Sequence, residues 1–145
     1  MGIWDVSGTI TNMQGIINFD KANLNSSVFD VTVTVNTINT KSEKRDTHLK
    51  KEDFFETDKW PTIRFKSTKI TDQDSVFTVI GNLTIKDITK QLVVPFTIIE
   101  TDSTLTFSGS HVINRIDYNV GVDYNSFMIK DEITVNVICV IKKGK

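Results

Sequence analysis

Apolar and polar residues alternate along most of the chain, which is the pattern of β-strands with one buried face. The alternation is clearest between residues 27 and 40, where Phe29, Val31, Val33 and Val35 share one parity and the residues between them are polar. Related patterns recur along the rest of the chain. They predict seven strands at residues 6–20, 27–40, 61–70, 75–86, 91–100, 104–113 and 132–142.

These strands are long, since most span ten residues or more and a typical strand has about five or six. Long antiparallel strands with one apolar parity suit a barrel or a sandwich. Pro95 lies inside one of them and predicts an edge or bulge position, because proline cannot donate to a strand ladder. The pattern therefore predicts one all-β domain that covers residues 1–145.

Two stretches break the alternation. Residues 41–60 are rich in charge but contain Leu49, Phe54 and Phe55, so we expect a short helical segment near residues 46–57 that lays these rings over an opening. Residues 114–130 form a second long connection. Connections of this length are often functional.

Composition supports the β assignment, because Val, Ile and Thr make up more than a third of the chain and Ala occurs once. The net charge of -1 and the three arginines argue against nucleic-acid binding. No apolar run approaches the roughly 20 residues of a transmembrane helix. The single cysteine, Cys139, cannot form an internal disulfide, and its place in an alternating stretch predicts a small buried side chain.

Catalytic and metal-binding patterns are absent from the sequence. His48, His111 and Cys139 show none of the short ligand spacings of zinc sites. Hydrolase, phosphate-loop and zincin motifs are also missing. The adjacent carboxylates at residues 52–53 and 131–132 are interpreted as solvated faces. We therefore expect neither an enzyme nor a metal site.

Two arginine–aspartate combinations lie in the long connections: Arg45 with Asp46, and Arg115 with Asp117. Arginine binds a carboxylate in a two-pronged geometry that lysine cannot match. One interpretation is that these pairs hold the connections to the rim of the sheet. The other is that one of them also meets the polar head of a ligand.

Several segments, in this order and spacing, resemble the YceI-like family across nearly the whole chain. They are Val35-Asn36-Thr37-Ile38-Asn39-Thr40, Arg45-Asp46-Thr47-His48-Leu49, Asp53-Phe54-Phe55, Trp60-Pro61-Thr62-Ile63-Arg64-Phe65-Lys66-Ser67, Gly81-Asn82-Leu83-Thr84-Ile85 with Thr89-Lys90, and Ile113-Asn114-Arg115-Ile116-Asp117-Tyr118.

The resemblance implies a lipocalin-like antiparallel β-barrel of about seven to eight strands. It further implies a non-enzymatic carrier that holds a polyisoprenoid or an isoprenoid quinone in an apolar tunnel, with no other cofactor. The family's usual location is periplasmic or secreted, its usual assembly is a homodimer, and contact with a membrane surface would suit a lipid carrier. A sheath of this kind makes physical sense, because each buried methylene is worth about 0.8 kcal/mol.

The resemblance and the strand parity together give two sets of candidate residues. The tunnel-lining candidates are Phe29, Val31, Val33, Phe54, Phe55, Ile63, Phe65, Phe77, Val79, Leu83, Phe96, Leu105 and Phe107. The rim or head-group candidates are Arg45, Asp46, His48, Arg115 and Asp117. A filled interior is the alternative, because a barrel of about eight strands has room for side chains or for one slender ligand. The chain would then be a stress-related interaction module.

One departure from the family pattern concerns the start of the chain. Family members normally begin with a further strand ahead of the segment that contains Gly8 and Gly15. We therefore expect a barrel with an open seam, and an unpaired edge of that kind invites strand exchange or aggregation. The chain is a fragment, or a partner or another segment fills the seam, or the tunnel is open along one side.

Overall fold

The computed structural model describes residues 7–74, 76–124 and 130–143, and its strands form one antiparallel sheet. Neighbours in the sheet are neighbours in the sequence. The strands are β1 (Gln14–Asn18), β2 (Val28–Thr34), β3 (Thr62–Gln73), β4 (Val76–Ile85), β5 (Ile88–Glu100), β6 (Thr104–Asn114) and β7 (Glu132–Lys142). The predicted all-β class, its antiparallel pairing and its seven strands are confirmed.

The sheet curls but its described strands do not close into a complete barrel, so the architecture is a half-barrel. Within the described residues β1 pairs only with β2, and β7 pairs only with β6. Side chains still bring the two edges together, since Sγ of Cys139 in β7 lies 3.2 Å from Sδ of Met13, just before β1. Within the described residues the sheet is open between these two strands.

The strand register decides which side chains face the concave side. A β-bulge in β3 shifts the register between Ser67 and Lys69. The extra residue lets Ile63, Phe65 and Ile70 face the same side although their parities differ. Ser67 at the bulge is buried, and its Oγ accepts a hydrogen bond of 2.9 Å from the backbone N–H of Phe29.

Concave-face side chains pack into two separate groups. We call the first the phenylalanine cluster; its buried members are Phe29, Ile70, Val79, Phe96 and Phe107. The second also contains residues from the two long connections, and we call it the loop-capped cluster; its buried members are Phe54, Ile85, Ile113, Tyr118 and Val120.

Strands β5 and β6 separate at the end of the sheet that holds the loop-capped cluster. Their pairing runs from Phe96–Gly109 to Glu100–Leu105 and stops beside Pro95, which has no N–H to donate. Beyond that point β5 continues to pair with β4, and β6 with β7. A 3-10 turn, Arg115–Tyr118, packs against both separated strands.

The only α-helix among the described residues is α1 (Glu43–Leu49). The predicted short helical segment near residues 46–57 is present, but the helix begins three residues earlier and ends at Leu49, and residues 50–59 mainly form turns. Ser42 explains the early start, because its side chain accepts a 3.3 Å hydrogen bond from the backbone N–H of Arg45 and caps the helix. No helix in the described part of the chain is long and apolar enough to cross a membrane.

Candidate functional site

The lining candidates all lie on the concave side or in the connection that covers it, but they fall into groups. Val31 and Val33 are half-buried and belong to neither cluster. The phenylalanine cluster takes Phe29, Phe65, Phe77, Val79, Phe96, Leu105 and Phe107. The loop-capped cluster takes Phe54, Phe55, Ile63 and Leu83.

The phenylalanine cluster is filled by a residue that the sequence analysis missed. Phe19 follows β1, and its ring centroid lies 5.3 Å from that of Phe107, 5.7 Å from that of Phe77, and 6.2 Å from those of Phe29 and Phe96. The signal was present in the sequence, because Phe19 continues the parity of Ile17. This end of the half-barrel is therefore packed with aromatic rings.

Between the two clusters the concave face stays partly open. Val137 points to this side and is still 38 % exposed. On β2, the side chains of Val31 and Val33 are half-buried on the same concave face. The ring of Phe65 covers Gly81, since a Cβ at that glycine would lie 2.5 Å from Cζ of the ring. The middle of the concave face is thus a mainly apolar surface that solvent reaches, with the half-buried His111 beside it.

Arg45 and Asp46 are not hydrogen-bonded to each other in the described structure; both bind Thr40. The backbone N–H and the hydroxyl of Thr40 donate to Oδ1 of Asp46 at 2.9 and 2.5 Å. Nε of Arg45 donates to the Thr40 hydroxyl at 2.8 Å, and Nη2 donates to its carbonyl at 2.5 Å. The hydrogen bond from Thr40 lowers the pKa of Asp46. These contacts fix α1 to the segment that follows β2.

His48 is part of a three-way contact that the sequence analysis did not foresee. Nε2 of His48 lies 2.8 Å from Oδ2 of Asp53, and the hydroxyl of Tyr124 donates to the same oxygen at 2.8 Å. The hydroxyl is also 3.0 Å from Nε2. Hydrogen bonds from His48, and then from Tyr124, lower the pKa of Asp53, while Asp53 raises the pKa of Tyr124. The contact joins the first long connection to the second.

Phe54 lies directly against this three-way contact. Its ring is edge-on to His48 at 5.1 Å and stacks on Tyr124 at 5.0 Å. Gly121 must be glycine, because its φ is +64° and a Cβ there would lie 2.6 Å from Cε1 of Phe54. The polar contact is therefore built onto the buried edge of the loop-capped cluster.

Arg115 is 2 % exposed and holds the second long connection together. Among the described residues its carboxylate partner is Asp131, at 3.0 Å, whereas Asp117 is exposed, so the expected pairing of Arg115 with Asp117 is wrong. Its guanidinium also donates to the carbonyl oxygens of Lys130 (3.0 Å), Val120 (3.1 Å), Gly121 and Tyr124 (2.7 Å). Arg115 thus organises the connection from inside.

A polar cavity of about 350 Å³ lies beside the loop-capped cluster. Two lysines reach it: Nζ of Lys86 donates to the carbonyl of Asn119 at 2.9 Å, and Nζ of Lys59 lies 5.3 Å from the centre of the Trp60 ring. Its carboxylates are those of Glu52, Asp53, Glu56, Asp87 and Asp123. Acidic groups therefore outnumber basic ones on its wall. Among the described residues no cluster of three or more potential metal ligands occurs.

These features define a half-barrel with an apolar concave face and a polar, loop-covered end. A family model described as the YceI-like domain matches residues 1–141, and the chain belongs to this family. A UPF0312 protein of Photorhabdus laumondii is 31 % identical over 86 residues, which cover 59 % of this chain and 45 % of that protein. A UPF0312 protein of Pseudomonas aeruginosa is 26 % identical over 136 residues, which cover 90 % of this chain and 71 % of that protein.

Solved structures show the same fold. The YceI protein of Campylobacter jejuni superposes on 100 % of this chain and 89 % of its own, with a TM-score of 0.88 and 25 % identity. BcnA of Burkholderia cenocepacia has a TM-score of 0.88 at 24 % identity over 92 % of this chain and 86 % of its own. A polyisoprenoid-binding domain of Saccharophagus degradans has a TM-score of 0.69 at 12 % identity over 81 % of this chain and 77 % of its own.

Proposed function

We propose that this protein is a non-catalytic binding or carrier protein for a lipid with an isoprenoid chain, held on the concave face of the half-barrel. The observation that carries the proposal is the apolar strip between the two clusters, where Val137 faces inward and is still 38 % exposed. Membership of the YceI-like family and the resemblance in fold to a polyisoprenoid-binding domain support it.

The physical basis is the transfer of a hydrocarbon chain out of water. Burial of apolar surface is worth roughly 25 cal/mol per Å², or about 0.8 kcal/mol per methylene. A concave sheet of Val, Leu, Ile and Phe side chains contacts such a chain along its length without any need for polar chemistry. A polyisoprenoid and an isoprenoid quinone both fit this description.

The test is lipid uptake by the purified protein and by two matched variants of β7. Val137→Lys places a charge on the concave strip, whereas Val140→Lys places the same charge on the convex face, where Val140 is 62 % exposed. We expect Val137→Lys to abolish binding of an isoprenoid quinone and Val140→Lys to preserve it. Mass spectrometry of organic extracts should also find isoprenoid lipid in the wild-type protein; neither co-purified lipid nor uptake would contradict the proposal.

The second candidate function is an interaction module, and the exposed β7 edge favours it. On its convex face Ile138 is 66 % and Val140 is 62 % exposed, and this strand has no second partner in the described part of the sheet. Long apolar edges of this kind pair readily with other chains. If this is the main function, Val140→Lys and not Val137→Lys will disrupt the complex, and lipid will be absent from both.

Three further proposals follow the family resemblance. We propose a periplasmic or secreted location, a homodimeric assembly and contact with a membrane surface during lipid transfer. Sedimentation velocity of the lipid-loaded protein measures the assembly. Co-flotation with vesicles of neutral phospholipid measures the membrane contact.

A further inference from the structure

One buried polar group in the loop-capped cluster has no partner. Tyr118 is 2 % exposed, and its hydroxyl makes no hydrogen bond in the described structure. Buried polar side chains almost always have a partner. The two tyrosines of the chain therefore differ sharply, because the hydroxyl of Tyr124 contacts both Asp53 and His48.

The backbone fixes the position of the Tyr118 ring. The side chain of Asn114 accepts a 2.9 Å hydrogen bond from the N–H of Ile116 and begins the 3-10 turn. Asn119 ends the turn in the left-handed conformation, and its carbonyl accepts from Nζ of Lys86 at 2.9 Å. The ring is thus held from both sides among concave-face residues, at the place where β5 and β6 separate.

The environment of Tyr118 keeps its hydroxyl a donor. Burial raises the pKa of Tyr118, and the nearby Asp117 carboxylate raises it further, so the phenol stays protonated at neutral pH. A buried phenol without a partner can donate one strong hydrogen bond to an oxygen atom that enters the cluster.

The charges around this end of the sheet favour a neutral oxygen. Five carboxylates line the adjacent polar cavity. Among the described residues Arg115 binds four carbonyl groups and Lys86 binds that of Asn119, while Lys59 lies over the Trp60 ring, so five carboxylates face only two lysines on the cavity wall. A phosphate or pyrophosphate head would meet repulsion at this site.

We infer that the hydroxyl of Tyr118 recognises the ligand by donating a hydrogen bond to an uncharged carbonyl oxygen of its head group. The inference rests on the proposed lipid-binding function and selects, within it, a carbonyl-bearing head over a plain hydrocarbon or a phosphate ester. Because the hydroxyl is closed off from solvent, a partly exposed neighbour in the cluster, such as Phe55 or Leu92, moves aside when the head group enters.

The experiment compares Tyr118→Phe with Tyr124→Phe, which removes the other tyrosine hydroxyl. The probes are an isoprenoid quinone with a short tail, an isoprenoid hydrocarbon and a polyprenyl phosphate, all with equal numbers of isoprene units. We expect Tyr118→Phe to weaken quinone binding roughly five- to tenfold and to leave hydrocarbon binding unchanged. Tyr124→Phe should change the binding of quinone and hydrocarbon by the same factor.

An infrared measurement separates recognition from structure. The carbonyl stretch of the bound quinone should lie at lower frequency in the wild type than in Tyr118→Phe, because only the wild type donates to that oxygen. Unliganded Tyr118→Phe should unfold at a temperature no lower than the wild type, since it loses an unpaired hydroxyl.

Each outcome decides a distinct question. Equal quinone affinity and equal carbonyl frequency in the wild type and Tyr118→Phe would overturn the role of Tyr118 while lipid binding stands. Tighter binding of the polyprenyl phosphate than of the quinone would overturn the preference for an uncharged head. Failure of the wild type to bind any of the three probes would overturn the proposed function and this inference together.

Discussion

The two clusters on the concave face are built in different ways. The phenylalanine cluster contains rings from strand residues and from Phe19, in contacts of 5.3 to 6.2 Å. The loop-capped cluster mixes strand residues with Phe54, Tyr118 and Tyr124, and polar side chains are fixed against it. Ring contacts dominate the first arrangement, whereas the second positions polar side chains, so we propose that ligand recognition occurs at the second.

This difference has an energetic side. Aromatic pairs in edge-to-face geometry are worth about 0.5–1.5 kcal/mol beyond the area they bury. A buried arginine that binds several carbonyl groups stabilises one particular arrangement of the chain, because any other leaves the charge unpaired. Substitutions in the phenylalanine cluster and in the loop-capped cluster should therefore differ in how much stability they remove and in how local their effect is.

The largest effect is expected at the phenylalanine cluster. Phe96→Ala removes a 7 % exposed ring that contacts four others, and it should lower the free energy of unfolding by about 4 kcal/mol. Urea denaturation measures this change. Ile99→Ala on the same strand, 62 % exposed, is the matched control and should lose far less. Equal losses in the two variants would mean that this end is not a packed core.

A smaller and more local effect is expected at the loop-capped cluster. Arg115→Lys keeps the charge but loses the fork of donors, and it should cost about 3 kcal/mol. Hydrogen exchange should speed up in residues 115–124 and stay slow in β4 and β5. Arg64→Lys, at the exposed pair with Asp30, is the control. Uniform exchange changes along the whole sheet would contradict the separation of the two clusters.

A pH-dependent effect is expected from Asp53. Its pKa is lowered in the folded state by His48 and then Tyr124, so it stabilises the fold above its unfolded pKa near 3.9 and loses that contribution as the pH falls through the lower folded value. The unfolding temperature should therefore fall less steeply between pH 5 and pH 2 for Asp53→Asn than for the wild type. At neutral pH the substitution should lower the free energy of unfolding by about 1 kcal/mol.

Other carboxylates also titrate in this range, so the comparison between variants matters. The pKa values of Asp46 and Glu100 are lowered by their own partners and affect wild type and variant alike. If the unfolding temperature falls identically with pH in the wild type and in Asp53→Asn, the three-way contact does not form in solution.

The smallest effect concerns the free cysteine at the seam. Burial raises the pKa of the Cys139 thiol, so little thiolate exists at neutral pH. Labelling with a maleimide should be slow in the native protein at pH 7 and fast in urea, with no measurable loss of stability in Cys139→Val. Rapid native labelling would indicate that this part of the phenylalanine cluster opens at the seam.

Local periodicity predicted the strands well. Residues 132–142 and 104–113 carry apolar residues in phase at every second position for most of their length, and the structure places β7 and β6 at or within one residue of these bounds. β2 ends at Thr34 instead of residue 40, because Val35–Thr37 forms a 3-10 turn. Alternation reports only which face a residue takes, so it cannot show where a ladder stops.

The candidate site was predictable only where residues act locally. Thr40 as the common partner of Arg45 and Asp46, and Asp131 as the partner of Arg115, depend on how the connections fold back. Asp53 and Tyr124 are 71 residues apart and meet only in three dimensions. The Tyr118 hydroxyl is buried without a hydrogen-bond partner, and no sequence pattern records a missing hydrogen bond.

The break beside Pro95 has a mechanical consequence. Five residue pairs join β5 to β6, whereas eleven join β6 to β7. We therefore expect β6 and β7 to separate from β5 more readily than they separate from each other. For the proposed isoprenoid ligand, an opening between β5 and β6 would allow entry from the side of the sheet instead of from one end.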